Sequence, residues 1–230
     1  MGSEMCIRDR FIFTLFYGKN VTAQFEGELV LEPDGCEEIE ECYIKNKLRY
    51  TDPDKLVWEA MKGLKTDGAT LPKWAEPFIG KPYDESFIKA AVVHDHYCDR
   101  HVRSWRSTHR VWYHMLIDLG VPIVKAKIMY YAVFVGGPKW VEIIEPRDCG
   151  ANCINEFRGL KDSEKIIFQS ESYNNIPELN DRIESMEENL IKKDMTLEEI
   201  EAFAISEDPE NYYYKNGPEV VFDPQVGIDR

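Results

Sequence analysis

The positions of apolar and polar residues change period once along the chain. From Phe11 to Thr66 the pattern favours strands: Phe11–Tyr17, Gln24–Leu31, Lys47–Thr51 and Lys55–Glu59 are rich in β-branched or aromatic residues. Glu32-Pro33-Asp34-Gly35 and Thr51-Asp52-Pro53-Asp54 separate them as turns. This end is predicted to be a small antiparallel sheet. The loop Thr66-Asp67-Gly68-Ala69-Thr70-Leu71-Pro72 ends it, because its Gly and Pro interrupt regular structure. From Ser86 onward the period is helical. One helix is predicted over Ser86–Val102, with Phe87, Ala90, Ala91, His94 and Cys98 on a single stripe, and Lys89, His96 and Arg100 toward water. A second runs over Ser107–Leu119, capped by Ser107 or Thr108 and ended by Gly120, with Thr108, Val111, Trp112, Met115 and Leu119 inward. A third begins with Pro122 and ends at Gly136.

Past Trp140 large apolar residues become sparse. Glu178–Lys193 still places Leu179, Ile183, Met186 and Leu190 at helical spacing, and Thr196-Leu197-Glu198-Glu199 is a capping box opening another helix. Asp208–Arg230 has the composition of a mobile tail. The expected fold is therefore α+β: a small antiparallel sheet, a helical hairpin with a third helix, and an acidic helical C-terminal extension. The expected division is a globular domain over 11–140 and the extension over 141–230. Residues 1–10 are set aside, because Met5-Cys6-Ile7-Arg8-Asp9 resembles a translated library-adapter end and reads as an artefactual N-terminus.

Charge sharpens this division. The net charge is −14, yet residues 81–140 hold nine basic and five acidic side chains and all five histidines, whereas residues 141–230 hold twenty-two acidic and nine basic ones. An acidic extension repels nucleic acid and anionic lipid, so no nucleic-acid partner is expected and a protein partner for the extension is. The most apolar run, Ile128–Val135, is far shorter than the ~20 residues of a membrane span. With no signal-peptide pattern, a cytoplasmic location is expected. The cysteines Cys36, Cys42, Cys98, Cys149 and Cys153 are accordingly expected as reduced thiols, since neither Cys149/Cys153 nor Cys36/Cys42 has the usual two-residue zinc spacing.

Candidate chemistry centres on Ala90-Ala91-Val92-Val93-His94-Asp95-His96-Tyr97. His94 lies on the apolar stripe, where burial and a nearby carboxylate pull an imidazole pKa in opposite directions toward neutrality. Asp95 projects about 100° away, so it is expected to bind a cation or a loop and not to be the close partner of His94. That partner is expected from the next helix. The short connection makes the two helices antiparallel and brings His109 to nearly the height of His94. Two neutral imidazoles with Asp95 or Asp67 suit a transition metal such as zinc, and carboxylates with loop carbonyls suit calcium. His94, Cys98 and His101 also share one face, a second zinc arrangement in which Cys98 is more simply core. His96, His101 and His114 are expected in solvent. Thr70 has no identifiable base beside it as a nucleophile, and Trp112, Tyr130, Tyr131 and Phe134 are expected in the core.

These residues resemble the domain-of-unknown-function 1353 family of bacteria and their phages. The resemblance rests on Asp67-Gly68-Ala69-Thr70-Leu71-Pro72, Ala90–Tyr97, Thr108-His109-Arg110-Val111-Trp112-Tyr113-His114-Met115 and Met129-Tyr130-Tyr131-Ala132-Val133, in that order. The layout is also similar to the helical core of phospholipase A2. That resemblance implies a water-activating His94, a calcium-binding Asp95 and an orienting carboxylate at the position of His109; Tyr97 and Tyr113 are expected in support, and Asp67, Gly68 and Thr70 in a loop near the site. Histidine at the orienting position departs from the pattern. Two functions are compatible with these residues. One is a hydrolase of an ester, lipid or cell-envelope bond; the other is a non-catalytic accessory protein in which the His-Asp motif is structural.

Overall fold

A computed structural model describes residues 24–38, 41–69, 80–144, 165–169, 179–216 and 219–221. The N-terminal part is α+β as expected, but it holds two small sheets. In the first, β4 (Leu48–Thr51) lies between β1 (Gln24–Glu26) and β5 (Val57–Ala60), all antiparallel, with Tyr50 opposite both Phe25 and Trp58. Side chains alternate across a strand, so Leu48, Tyr50, Trp58 and Ala60 are buried on one face, while Lys47, Arg49, Glu26 and Glu59 form ion pairs on the other. The second sheet joins β2 (Leu31–Glu32), β3 (Cys42–Ile44) and β6 (Lys65–Thr66). Cys36 in a short turn (Cys36–Glu38) and Cys42 at the start of β3 form a disulfide, which corrects the expectation of reduced thiols. The turn folds back and brings their Cα atoms within 5.0 Å, inside bridging range. The expected strand Phe11–Tyr17 and the cysteines 6, 149 and 153 lie outside the described residues.

The helical hairpin is α1 (Ile88–Arg100) and α2 (Trp105–Asp118), followed by α3 (Ile123–Gly136). α2 starts two residues earlier than predicted because Ser104, not Ser107 or Thr108, caps it: its Oγ accepts from the Ser107 N–H. α1 ends at His101, which takes a left-handed conformation with φ 53°. α1 packs on β4 and β5 on one side and on α2 on the other. It is therefore buried over most of its circumference, and His96, expected in water, is only 6% exposed. α3 is apolar all round; α2 covers one side of it, and α4 (Leu179–Lys192) and α5 (Leu197–Glu207) cover another. The Thr196/Glu199 capping box opens α5 as predicted.

Two apolar bodies result. One is built by the first sheet, α1 and the inner face of α2. The other is built by Trp105, Tyr130, Phe134 and Trp140 with the buried faces of α4 and α5, and it includes Cys98. Inside the second, the buried Glu201 accepts from Arg110 and from the Tyr130 hydroxyl, both at 2.6 Å. A third sheet places β7 (Trp140–Ile144) between β8 (Lys165–Gln169), antiparallel, and β9 (Glu219–Val221), parallel. β9, and a short helix α6 (Tyr212–Lys215) whose Tyr214 stacks on Phe134, correct the expectation of a mobile tail over those residues. No described helix is long and apolar enough to cross a membrane.

Candidate functional site

The short turn after α1 sends α2 back antiparallel, and the two helices bring His94 and His109 together. His94 Nε2 lies 2.9 Å from His109 Nδ1, with the ring centroids 5.1 Å apart. His109 is completely buried and His94 is 7% exposed. On its far side His109 Nε2 lies 3.1 Å from the carbonyl oxygen of Pro138. Gly137 makes that approach possible, since a Cβ there would stand 3.2 Å from the ring and 2.4 Å from the Val133 carbonyl. Trp105, Trp112 and Trp140 surround the two rings.

The Pro138 carbonyl orders the protons. A carbonyl only accepts, so His109 Nε2 carries the hydrogen. Burial, reinforced by the neighbouring His94 and Lys139, holds the His109 pKa well below its ordinary value, so the ring is neutral and Nδ1 accepts. His94 Nε2 must then donate. The second nitrogen of His94, Nδ1, is 3.5 Å from Asp95 Oδ1.

This contact corrects the expectation that Asp95 could not be a close partner of His94. Successive Cβ atoms do diverge around a helix, but the carboxylate ends with Oδ1 within 3.5 Å of the ring nitrogen. Oδ2 of Asp95 is shielded from solvent and has no hydrogen-bond partner among the described residues. Burial pushes the Asp95 carboxyl pKa up, and the contact with His94 pulls it down. With Nε2 of His94 donating to His109, Nδ1 is the ring's acceptor, beside Asp95 Oδ1.

Cys98, one turn after His94, closes the cluster. Its Sγ is 3.6 Å from His94 Nε2 and 3.8 Å from Nδ1, and burial keeps the thiol pKa well above its ordinary value. The ligating atoms of His94, Cys98 and His109 lie within 4.8 Å of one another. His101 does not join them. The left-handed turn at the end of α1 carries it to Gln169, 2.7 Å away, and to the edge of Trp140. The signal for Cys98 was present in the sequence as the four-residue spacing from His94; the signal for Pro138 was only the Gly-Gly-Pro that ends α3.

Of the other expected site residues, Asp67 reaches the cluster through its charge, which helps to raise the Asp95 pKa, and the rest are dispersed. Tyr97 faces the first sheet, where its hydroxyl accepts from the Glu59 N–H at 3.2 Å and its ring meets Trp58 edge-on. Tyr113 packs on Tyr130. Asp67 is exposed and Gly68 is buried at φ +83°, in a loop fastened by the Ala69 N–H to the Pro82 carbonyl. A Cβ at residue 68 would lie 2.7 Å from that same carbonyl oxygen. Thr70 lies outside the described residues. His96 is buried, with Nε2 3.3 Å from the Arg100 guanidinium; His101 and His114 are half-buried rather than in solvent.

Residues 42–133 match the family described as "Protein of unknown function (DUF1353)". The chain is 43% identical over 113 residues to the uncharacterized protein y4iH of Sinorhizobium fredii (strain NBRC 101917 / NGR234), covering 48% of this chain and 47% of that one. It is 37% identical over 97 residues to the uncharacterized protein y4jT of the same strain, covering 42% of this chain and 29% of that one. The match thus spans less than half the length of either relative. No solved structure matches.

Proposed function

We propose that this protein is a hydrolase in which His94 activates water. The observation that carries the reading is the ordered proton chain from the Pro138 carbonyl through His109 to His94. It commits Nε2 of His94 to donation and leaves Nδ1 as the proton-accepting atom. A water at Nδ1 would lose its proton to the ring, and the Asp95 carboxylate would stabilise the imidazolium that forms. His109 here orients the ring as a neutral acceptor. It supplies no fixed negative charge, so Asp95 has that role. Bonds to an ester, a lipid or a cell-envelope polymer are the substrate classes to which this chemistry applies.

The test is hydrolysis of aryl esters, phospholipid vesicles and peptidoglycan by the full chain, with His94→Gln and Asp95→Asn alongside. Loss of turnover in His94→Gln at concentrations where circular dichroism shows it folded supports the reading. Turnover that persists in that variant sinks it.

A second reading has its own observation: His94 and His109 are buried and their facing nitrogens are paired, as in a cluster that fastens α1 to α2. The protein would then be a non-catalytic accessory, with the acidic C-terminal segment as the surface for a protein partner. It predicts no turnover on any substrate, and a loss of about 1–3 kcal/mol of stability in His94→Ala from stranded buried groups.

A further inference from the structure

We propose that His94 Nε2, His109 Nδ1 and Cys98 Sγ form a binding site for one zinc-class divalent cation, with Asp95 and the Pro138 carbonyl as the outer partners that aim the two rings. This goes beyond the hydrolase reading and stands without it, because in the loaded cluster His94 is a ligand and no longer a base.

Two of the three ligand separations are close to those the ion requires, and all three lie within 4.8 Å. Around a tetrahedral zinc with bonds of about 2.0–2.1 Å to nitrogen and 2.3 Å to sulfur, a nitrogen and a sulfur ligand sit about 3.6 Å apart and two nitrogens about 3.3–3.4 Å apart. Cys98 Sγ is 3.6 Å from His94 Nε2. The His94–His109 separation is 2.9 Å, so the rings open by about 0.4 Å as the ion takes the place of the proton between them.

The outer contacts are those a metal-bound imidazole uses. A ligating histidine directs its other ring nitrogen to a carboxylate or a backbone carbonyl, which fixes its orientation. His109 Nε2 has the Pro138 carbonyl at 3.1 Å, and His94 Nδ1 has Asp95 Oδ1 at 3.5 Å. Metal binding thus replaces the donor–acceptor bond between the two rings with two oriented ligands. The Asp95 carboxylate, with one buried oxygen lacking a partner among the described residues, acquires a full Nδ1–H donor.

The donor set selects the ion. Two imidazoles and a thiolate suit zinc or cobalt; calcium requires six to eight oxygens, and this cluster offers none directly. Binding releases the Cys98 thiol proton to solvent, and the proton held between the two rings passes by way of solvent to His94 Nδ1, where Asp95 accepts it. Three protein ligands leave one position of a tetrahedral ion for water.

The test uses the full chain, stripped of metal and kept with a non-chelating reductant, titrated with Co(II) and examined separately by X-ray absorption after loading with Zn(II). The expected result is one Co(II) per chain, with tetrahedral visible bands and a near-ultraviolet thiolate-to-cobalt charge-transfer band that Cys98→Ser removes. His109→Gln weakens binding, and Asp95→Asn, acting only through His94, weakens it by about 10–100-fold. The zinc shell should hold one sulfur at about 2.3 Å and imidazole nitrogens at about 2.0–2.1 Å. This second measurement needs no variant to fold. A charge-transfer band that survives Cys98→Ser, a zinc shell with no sulfur or with two, or no binding at all overturns the site. The two readings separate cleanly: a zinc-loaded protein with the expected shell and no turnover refutes only the hydrolase, and turnover unaffected by chelation in a chain that binds no zinc refutes only the metal site.

Discussion

His109→Phe tests the proton order of the cluster through stability alone. His109 is completely buried and its pKa is held well below the ordinary 6.5, with burial as the largest cause. The unfolded chain therefore takes up a proton at this residue as pH falls through 6.5, while the folded chain does not. Its contribution to stability is full above that pH and is lost progressively below it. For one group that stays neutral in the folded state, the loss between pH 7.5 and pH 5.5 is about 1.4 kcal/mol. His96 and His114 are also lowered by burial, but both remain in the variant and cancel in the comparison. Urea unfolding of both proteins at intervals across this range, read by tryptophan fluorescence, gives the two slopes. The variant should start lower by about 1–3 kcal/mol, because the His94 Nε2–H loses its acceptor, and its pH dependence should be shallower by the amount above. Equal slopes in the two proteins would refute the neutral, buried His109 on which the proton order depends.

Three further outcomes follow from the packing around this cluster. Gly137→Ala places a methyl 2.4 Å from the Val133 carbonyl and 3.2 Å from the His109 ring, so it should cost about 1–3 kcal/mol in thermal unfolding and shift the His109 ring resonances in NMR. Unchanged resonances would show that the ring does not depend on this glycine. Glu201→Ala removes the acceptor of both Arg110 and the buried Tyr130 hydroxyl. About 2 kcal/mol is expected in urea unfolding, less than for a fully buried pair because Arg110 is partly exposed and retains Glu198 at 3.1 Å; a loss under 0.5 kcal/mol, roughly that of an exposed pair, would contradict it. Lys139 is 4% exposed and burial pulls its pKa down to about 7. Below its unfolded value of 10.5 it therefore withdraws stability as pH falls toward 7, so relative to Lys139→Met the wild type should gain stability from pH 7 to pH 9, and an equal pH dependence in the two proteins would contradict it.

The meeting of His94 with His109 was legible in the sequence because three local facts determine it: apolar spacing gives each helix its inward face, a short turn makes the pair antiparallel, and distance from the turn sets the height. Asp95 was misplaced because helical spacing fixes where a side chain leaves the backbone and not where a rotatable carboxylate ends. His96 was misplaced for another reason. Its polar side chain reads locally as solvent-facing, and its burial comes from tertiary packing that no local signal marks. The third sheet could not be anticipated. β7 pairs with strands that begin about 25 and 80 residues later, and a pairing over such separations leaves no mark on any one segment.

The site lies at the seam between the two apolar bodies. Trp112, in the first, is 5.5 Å from the His94 ring, while Trp105 and Trp140, in the second, are 5.6 Å and 6.4 Å from His109. The segment shared with the family ends at residue 133, so it contains His94, Asp95, Cys98 and His109 but not Gly137, Pro138 or Trp140. Side chains of the shared segment thus supply every donor and acceptor of the cluster except the one that orients it. The Pro138 carbonyl decides which way the His109 proton points, and through it which nitrogen of His94 accepts a proton or receives a metal. Its position depends on the turn from α3 into β7, and hence on a sheet completed by residues 165–169 and 219–221. Residue identities in the shared segment set what the cluster can do, and the packing of the segment beyond it sets which proton arrangement is realised.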